Sequence, residues 1–194
     1  MKPLPFVWPY AIPFWIVYIW TFAPEFGIVR RAQRSVTSTD SKSFQVIMAG
    51  LSVALFAAFV LAWMPHFQLA GTQRVVAFWV GTAMMVSGSL LRRHCWRMLG
   101  TSFTGDVQAR PDQQVIARGA YSKLRHPSYT GAILINTGMG IALGTWAGAL
   151  LLLVTSFAVY GYRISVEERA LLAAIGEPYR EFMSKRKRLI PFVY

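Results

Sequence analysis

Phe44 to Met64 reads FQVIMAGLSVALFAAFVLAWM, an apolar run without a single charged residue. At about 1.5 Å per residue, a helix of this length covers the roughly 30 Å of a bilayer's hydrocarbon core. Pro65 and His66 end it. Upstream, Leu4 to Ala23 is long enough for a first span, with Pro9 and Pro13 expected to kink it. No small-residue cleavage site follows that stretch, so it reads as a retained span and not a signal peptide. Downstream, an apolar run from Val75 to Leu91 continues in helical pattern through the basic SGSLLRRHCWRM. Residues 128–162 are apolar throughout, too long for one span and short for two, and GTWAG at Gly144 to Gly148 supplies a turn between them. The sequence therefore predicts an all-α, polytopic integral membrane protein. Its single domain, residues 1–194, has about five spans, at 4–23, 44–64, 75–91, 128–143 and 147–162, and polar segments at 92–127 and 163–194.

Charge tests this division. Five spans place 18 of the 20 Lys and Arg on one side, leaving only Lys2 and Arg74 opposite. The positive-inside rule then puts the N-terminus outside and the C-terminus in the cytoplasm. A net charge of +12 would suggest nucleic acid in a soluble protein. Here the basic residues flank apolar runs, so anionic lipid headgroups are the expected partners and nucleic acid is not. The single cysteine, Cys95, excludes an internal disulfide framework and any multi-cysteine metal site, and no metal is expected.

All eight Asp and Glu fall on that same side, a placement orientation does not require. Their position predicts a polar site built from residues 92–129 and 163–181. Three features there carry chemistry. Arg92 and Arg93 stand where the third helix leaves the apolar run, placed either to snorkel to lipid phosphate or to serve a site. In GAYSKLRHPSYTG, residues 119–131, Pro127 keeps His126 out of the α region and opens a helix. The N-terminus of such a helix offers free N–H groups to anions, or is simply a capped start to a span. In RISVEERALL, Arg163 and Glu167 are four apart and share a helix face, as a plain ion pair or as part of a site.

GAYSKL followed by RHPSY, and some 40 residues later EERALLAAIGEPYREF, resembles the isoprenylcysteine carboxyl methyltransferase family of membrane enzymes. The resemblance runs from about Leu90 to the C-terminus. Phospholipid methyltransferases and membrane sterol reductases share parts of the pattern.

The resemblance implies an S-adenosyl-L-methionine-dependent methyltransferase with a cytoplasmic cofactor pocket, formed by the 100–127 segment and the C-terminal helix. Carried onto matching positions, it implies cofactor contacts at Gln108, Gln113, Gln114, Val115, Ile116, Tyr121, His126, Pro127, Ser128, Tyr129 and Glu167. Arg92 and Arg163 resemble the arginines set near the substrate carboxylate. The implied reaction is carboxyl methylation of a prenylated cysteine, forming a methyl ester. An α-carboxyl ionises near pH 3.5, so this acceptor needs no general base. The alternatives are N-methylation of another lipid-linked acceptor, such as a phospholipid headgroup, or NADPH-dependent reduction of a sterol-like lipid. A non-catalytic lipid-binding role would rest on the positive charge alone.

Overall fold

The computed structural model describes residues 1–34, 41–100 and 115–190, apart from the side chains of 26, 28–34 and 41–44. Among them it is all-helical: α1 (Ala11–Arg34), α2 (Ser41–Trp63), α3 (Gly71–Leu99), α4 (Pro127–Ala142), α5 (Trp146–Ile175) and α6 (Glu177–Ser184). Short 3-10 turns η1 (Leu4–Phe6), η2 (Pro65–Phe67) and η3 (Gly119–Ser122) punctuate them. Among the described residues three helices are long and apolar enough to cross a membrane, at Gln45–Trp63, Gly71–Leu99 and Trp146–Ile175. Large apolar side chains such as Val53 and Phe56, 69% and 72% exposed, point outward from α2. That arrangement suits lipid and would be unfavourable in water.

The helix bounds differ from the apolar runs in an instructive way. The first run begins at Leu4, but α1 starts at Ala11 and continues past Ala23 to Arg34. Pro9 lies ahead of the helix and Pro13 in its first turn, where a missing N–H leaves no acceptor stranded, so neither kinks it. The interior proline is Pro24. A proline cannot donate to the carbonyl four residues back, here that of Trp20. Arg93 fills the gap: its Nη2 donates to Trp20 O at 2.6 Å, and its guanidinium lies 4.3 Å from the Trp20 ring centre. At the other end of the chain, α5 runs unbroken through 163–175, so the expected last span and the charged segment after it share one helix. Loss of hydropathy marks where a helix changes surroundings, not where its backbone hydrogen bonds stop.

The core is the antiparallel pair α3–α4, drawn close by glycines. A Cβ on Gly88 would stand 2.5 Å from Gly131 O, and one on Gly138 would stand 2.6 Å from Gly81 O. Gly81 and Gly88 are seven apart, as are Gly131 and Gly138, so each pair lines one face over two turns. The turn expected at Gly144 to Gly148 is present. Gly144 has φ +73°, Thr145 caps α5 by accepting from Gly148 N at 3.2 Å, and Leu69 N donates to Gly144 O at 2.9 Å. The amino terminus bonds Gln68, which bridges Thr145, so the chain's start and two connections gather at one end of the bundle. The charged cluster lies at the other.

Candidate active site

Pro127 opens α4, and His126 before it has φ −128° and ψ 56°, outside the helical region as a pre-proline residue must be. The chain's end holds this junction from the far side. Arg125 N donates to Lys187 O at 2.8 Å, His126 N to Arg188 O at 3.0 Å, and Thr130 Oγ1 to Leu189 O at 2.7 Å.

Three charged groups converge here. In the first, the buried Glu168 accepts from Arg125 Nη1 at 2.8 Å and Arg188 Nη2 at 3.0 Å, and lies 3.2 Å from His126 Nε2. His126 stands between two glutamates, since its Nδ1 is 4.0 Å from Glu167 Oε2. In the second, the Tyr129 hydroxyl donates to Glu167 Oε2 at 2.7 Å and accepts from Arg163 Nε at 3.4 Å. In the third, Arg92 donates through Nε and Nη2 to the two oxygens of Glu25, at 2.5 and 2.6 Å, and through Nη1 to the Ser128 carbonyl and hydroxyl at 3.0 and 3.2 Å. The Tyr129 ring stacks between His126 and Tyr160, with centres 5.7 and 5.1 Å apart, and so joins the groups.

Arg92 and Arg163 are 8% and 3% exposed, so both guanidiniums depend on protein partners and not on water. Tyr121 is also buried, and burial pushes its phenol up, with Cys95 and Glu167 nearby adding to the effect. It therefore stays protonated at neutral pH.

Of the residues singled out from sequence, Arg92, Tyr121, His126, Pro127, Ser128, Tyr129, Arg163 and Glu167 come together at this end. Val115 and Ile116 are half-buried in the non-helical approach to Gly119 and make none of these polar contacts. Gln108, Gln113 and Gln114 lie outside the described residues. Arg163 and Glu167 share a face as expected, with the Tyr129 hydroxyl between them. Sequence reasoning missed Glu25, Arg125, Glu168 and Arg188. Glu25 did leave a signal, as an isolated carboxylate at the edge of an apolar run, a position that is costly unless paired or used.

The geometry fits a small zwitterionic cofactor. Glu167 is 28% exposed at its side chain and offers an acceptor for an ammonium. Arg125 Nε is buried without a hydrogen-bond partner among the described residues and offers a donor. Among those residues no group of His, Cys, Asp and Glu could hold a metal ion.

A helical bundle with apolar outer faces and a buried polar cluster at one end defines a polytopic membrane protein with its site at the bundle's edge. The profile of the isoprenylcysteine carboxyl methyltransferase (ICMT) family matches residues 79–173, which include all of that cluster except Glu25 and Arg188. It is 28% identical to protein-S-isoprenylcysteine O-methyltransferase of Dictyostelium discoideum over 167 residues, covering 80% of this chain and 67% of that one. It is 29% identical over 115 residues to protein-S-isoprenylcysteine O-methyltransferase B of Arabidopsis thaliana, covering 58% of each. The chain thus spans about three fifths to two thirds of these relatives' length. The solved eukaryotic intramembrane Ras methyltransferase ICMT shares its fold, with a TM-score of 0.65 at 21% identity over 98% of this chain and 70% of the other.

Proposed function

We propose that the protein transfers a methyl group from S-adenosyl-L-methionine to the α-carboxylate of a prenylated cysteine. The observation that carries this reading is the pair of buried arginines, Arg92 and Arg163, flanking the Tyr129–Glu167 contact within the family-matched segment. When bound, the cofactor supplies an electrophilic methyl on a sulfonium.

The chain's own residues do the rest. Glu167 and the Arg125 Nε edge hold the cofactor's charged end, His126 and Tyr129 give it a flat aromatic wall, and Tyr121 donates a hydrogen bond. Arg92 and Arg163 orient the acceptor carboxylate, because a guanidinium can hold two oxygens by parallel bonds. The acceptor is ionised at neutral pH, so catalysis is alignment and exclusion of water. At about 0.8 kcal/mol per buried CH₂, a prenyl chain favours the bilayer, so the acceptor enters sideways between helices. The N-terminus lies outside and the site faces the cytoplasm, where the soluble cofactor is. Anionic lipids meet Lys185 to Arg188.

Titration of the purified protein with S-adenosyl-L-methionine and with NADPH tests the reading. Binding of the first alone is expected, and it should be lost in Glu167→Ala. Binding of NADPH alone would favour the reductase alternative. Tyr129→Phe removes only the hydroxyl between Glu167 and Arg163. Losing a charged hydrogen bond of about 1.5 kcal/mol predicts about tenfold weaker cofactor binding. Unchanged affinity would show that this hydroxyl does not shape the pocket.

A further inference from the structure

Arg92 is assigned above to the acceptor's carboxylate, yet a carboxylate already lies on it. Glu25 engages Nε and Nη2 by two parallel bonds, the mode in which arginine holds a carboxylate. Nη1 is committed to Ser128. The guanidinium edge suited to an acceptor is therefore the one Glu25 covers. The Arg92 side chain is 9% exposed and that of Glu25 25%, so the pair opens outward on the Glu25 side and this carboxylate has room to withdraw. Nor is Glu25 the only anchor of α1 at this point, because Arg93 independently holds Trp20 O and its ring.

Resting on the methyl-transfer reading, we infer that Glu25 is a resident carboxylate in the acceptor's seat, displaced when the acceptor's own carboxylate docks on Arg92. It lies in α1, outside the family-matched residues 79–173. The exchange replaces one anion by another, so Arg92 keeps a counter-charge while the acceptor docks. It also sets selectivity. A neutral acceptor has too little attraction for Arg92 to dislodge Glu25. An ester product has lost its charge, so Glu25 returns and favours release.

Equilibrium binding of an N-acylated S-prenyl cysteine and of its methyl ester, to the full-length wild type and to Glu25→Gln, tests this. The Gln side chain is a neutral and weaker occupant. Easing the displacement of a charge-assisted pair predicts about tenfold tighter binding of the acid, with the ester changed less than about twofold. Glu25→Asp keeps the charge and should bind the acid within about threefold of wild type. Equal or weaker binding of the acid by Glu25→Gln would overturn the inference, as would loss of S-adenosyl-L-methionine binding by that variant, which would make the pair a requirement of the fold. A wild type that binds neither acid nor ester would instead bring down the methyl-transfer reading, and this inference with it.

Discussion

Gly88→Leu is expected to prevent α3 from seating on α4 and to lower the melting temperature in detergent sharply. The first atom of the new side chain would meet Gly131 O at 2.5 Å and Ile135 Cγ1 at 2.9 Å. The carbonyl is backbone in a helix and cannot rotate away. Overpacking against yielding side chains costs about 1–3 kcal/mol, and rigid backbone on the facing helix places this variant at or beyond the upper end. Gly138→Val should act in the same way against Gly81 O. Gly161→Ala is the control. Nothing lies within 4 Å of its Cβ position, so it should be neutral or gain the fraction of a kcal/mol that alanine has over glycine in a helix. If Gly88→Leu melted like wild type, the close α3–α4 pairing would be wrong.

Glu168→Ala should be nearly as damaging, for an electrostatic reason. Its carboxylate is 4% exposed and serves Arg125, Arg188 and His126 together. Without it two guanidiniums face each other beside a buried imidazole. Breaking a buried ion pair by removing one partner costs about 3–5 kcal/mol, less whatever water recovers at Arg188, whose side chain is 32% exposed. The damage should also reach the site, because the Lys187 and Arg188 carbonyls accept from the backbone N–H groups of Arg125 and His126. Cofactor affinity and melting temperature should therefore fall together. Glu181→Ala removes a carboxylate that Lys185 holds below its usual range on the open surface, and it should change neither. A variant of Glu168 that melted normally would mean that Arg125, Arg188 and His126 find other partners.

Much of this was legible beforehand, and the misses have physical causes. Apolar runs revealed the helices, and Gly144 to Gly148 the hairpin, because both signals are local. The His126 break was legible because proline acts on its immediate neighbour. Glu168 was not, since adjacent Glu167 and Glu168 look alike in sequence and only their turn of about 100° on the helix separates their partners. Glu25 counts in the sequence only as one of eight acids on one side, because its partner lies 67 residues away on another helix. The pairing of Gly81 and Gly88 with Gly131 and Gly138 escaped because spacing by seven does not stand out where small residues are common. Tyr129, between Arg163 and Glu167, could not be foreseen from an (i, i+4) pattern that considers one helix only.

The atom that accepts the methyl group decides the function. The purified protein, reconstituted in lipid vesicles containing phosphatidylethanolamine, is given methyl-labelled S-adenosyl-L-methionine and an N-acylated S-prenyl cysteine. The label should enter a product that mild base releases as methanol, and blocking the carboxylate as an amide or omitting the prenyl chain should abolish it. Label that is stable to base and resides in the phospholipid amine, or no transfer to either acceptor, would contradict the account.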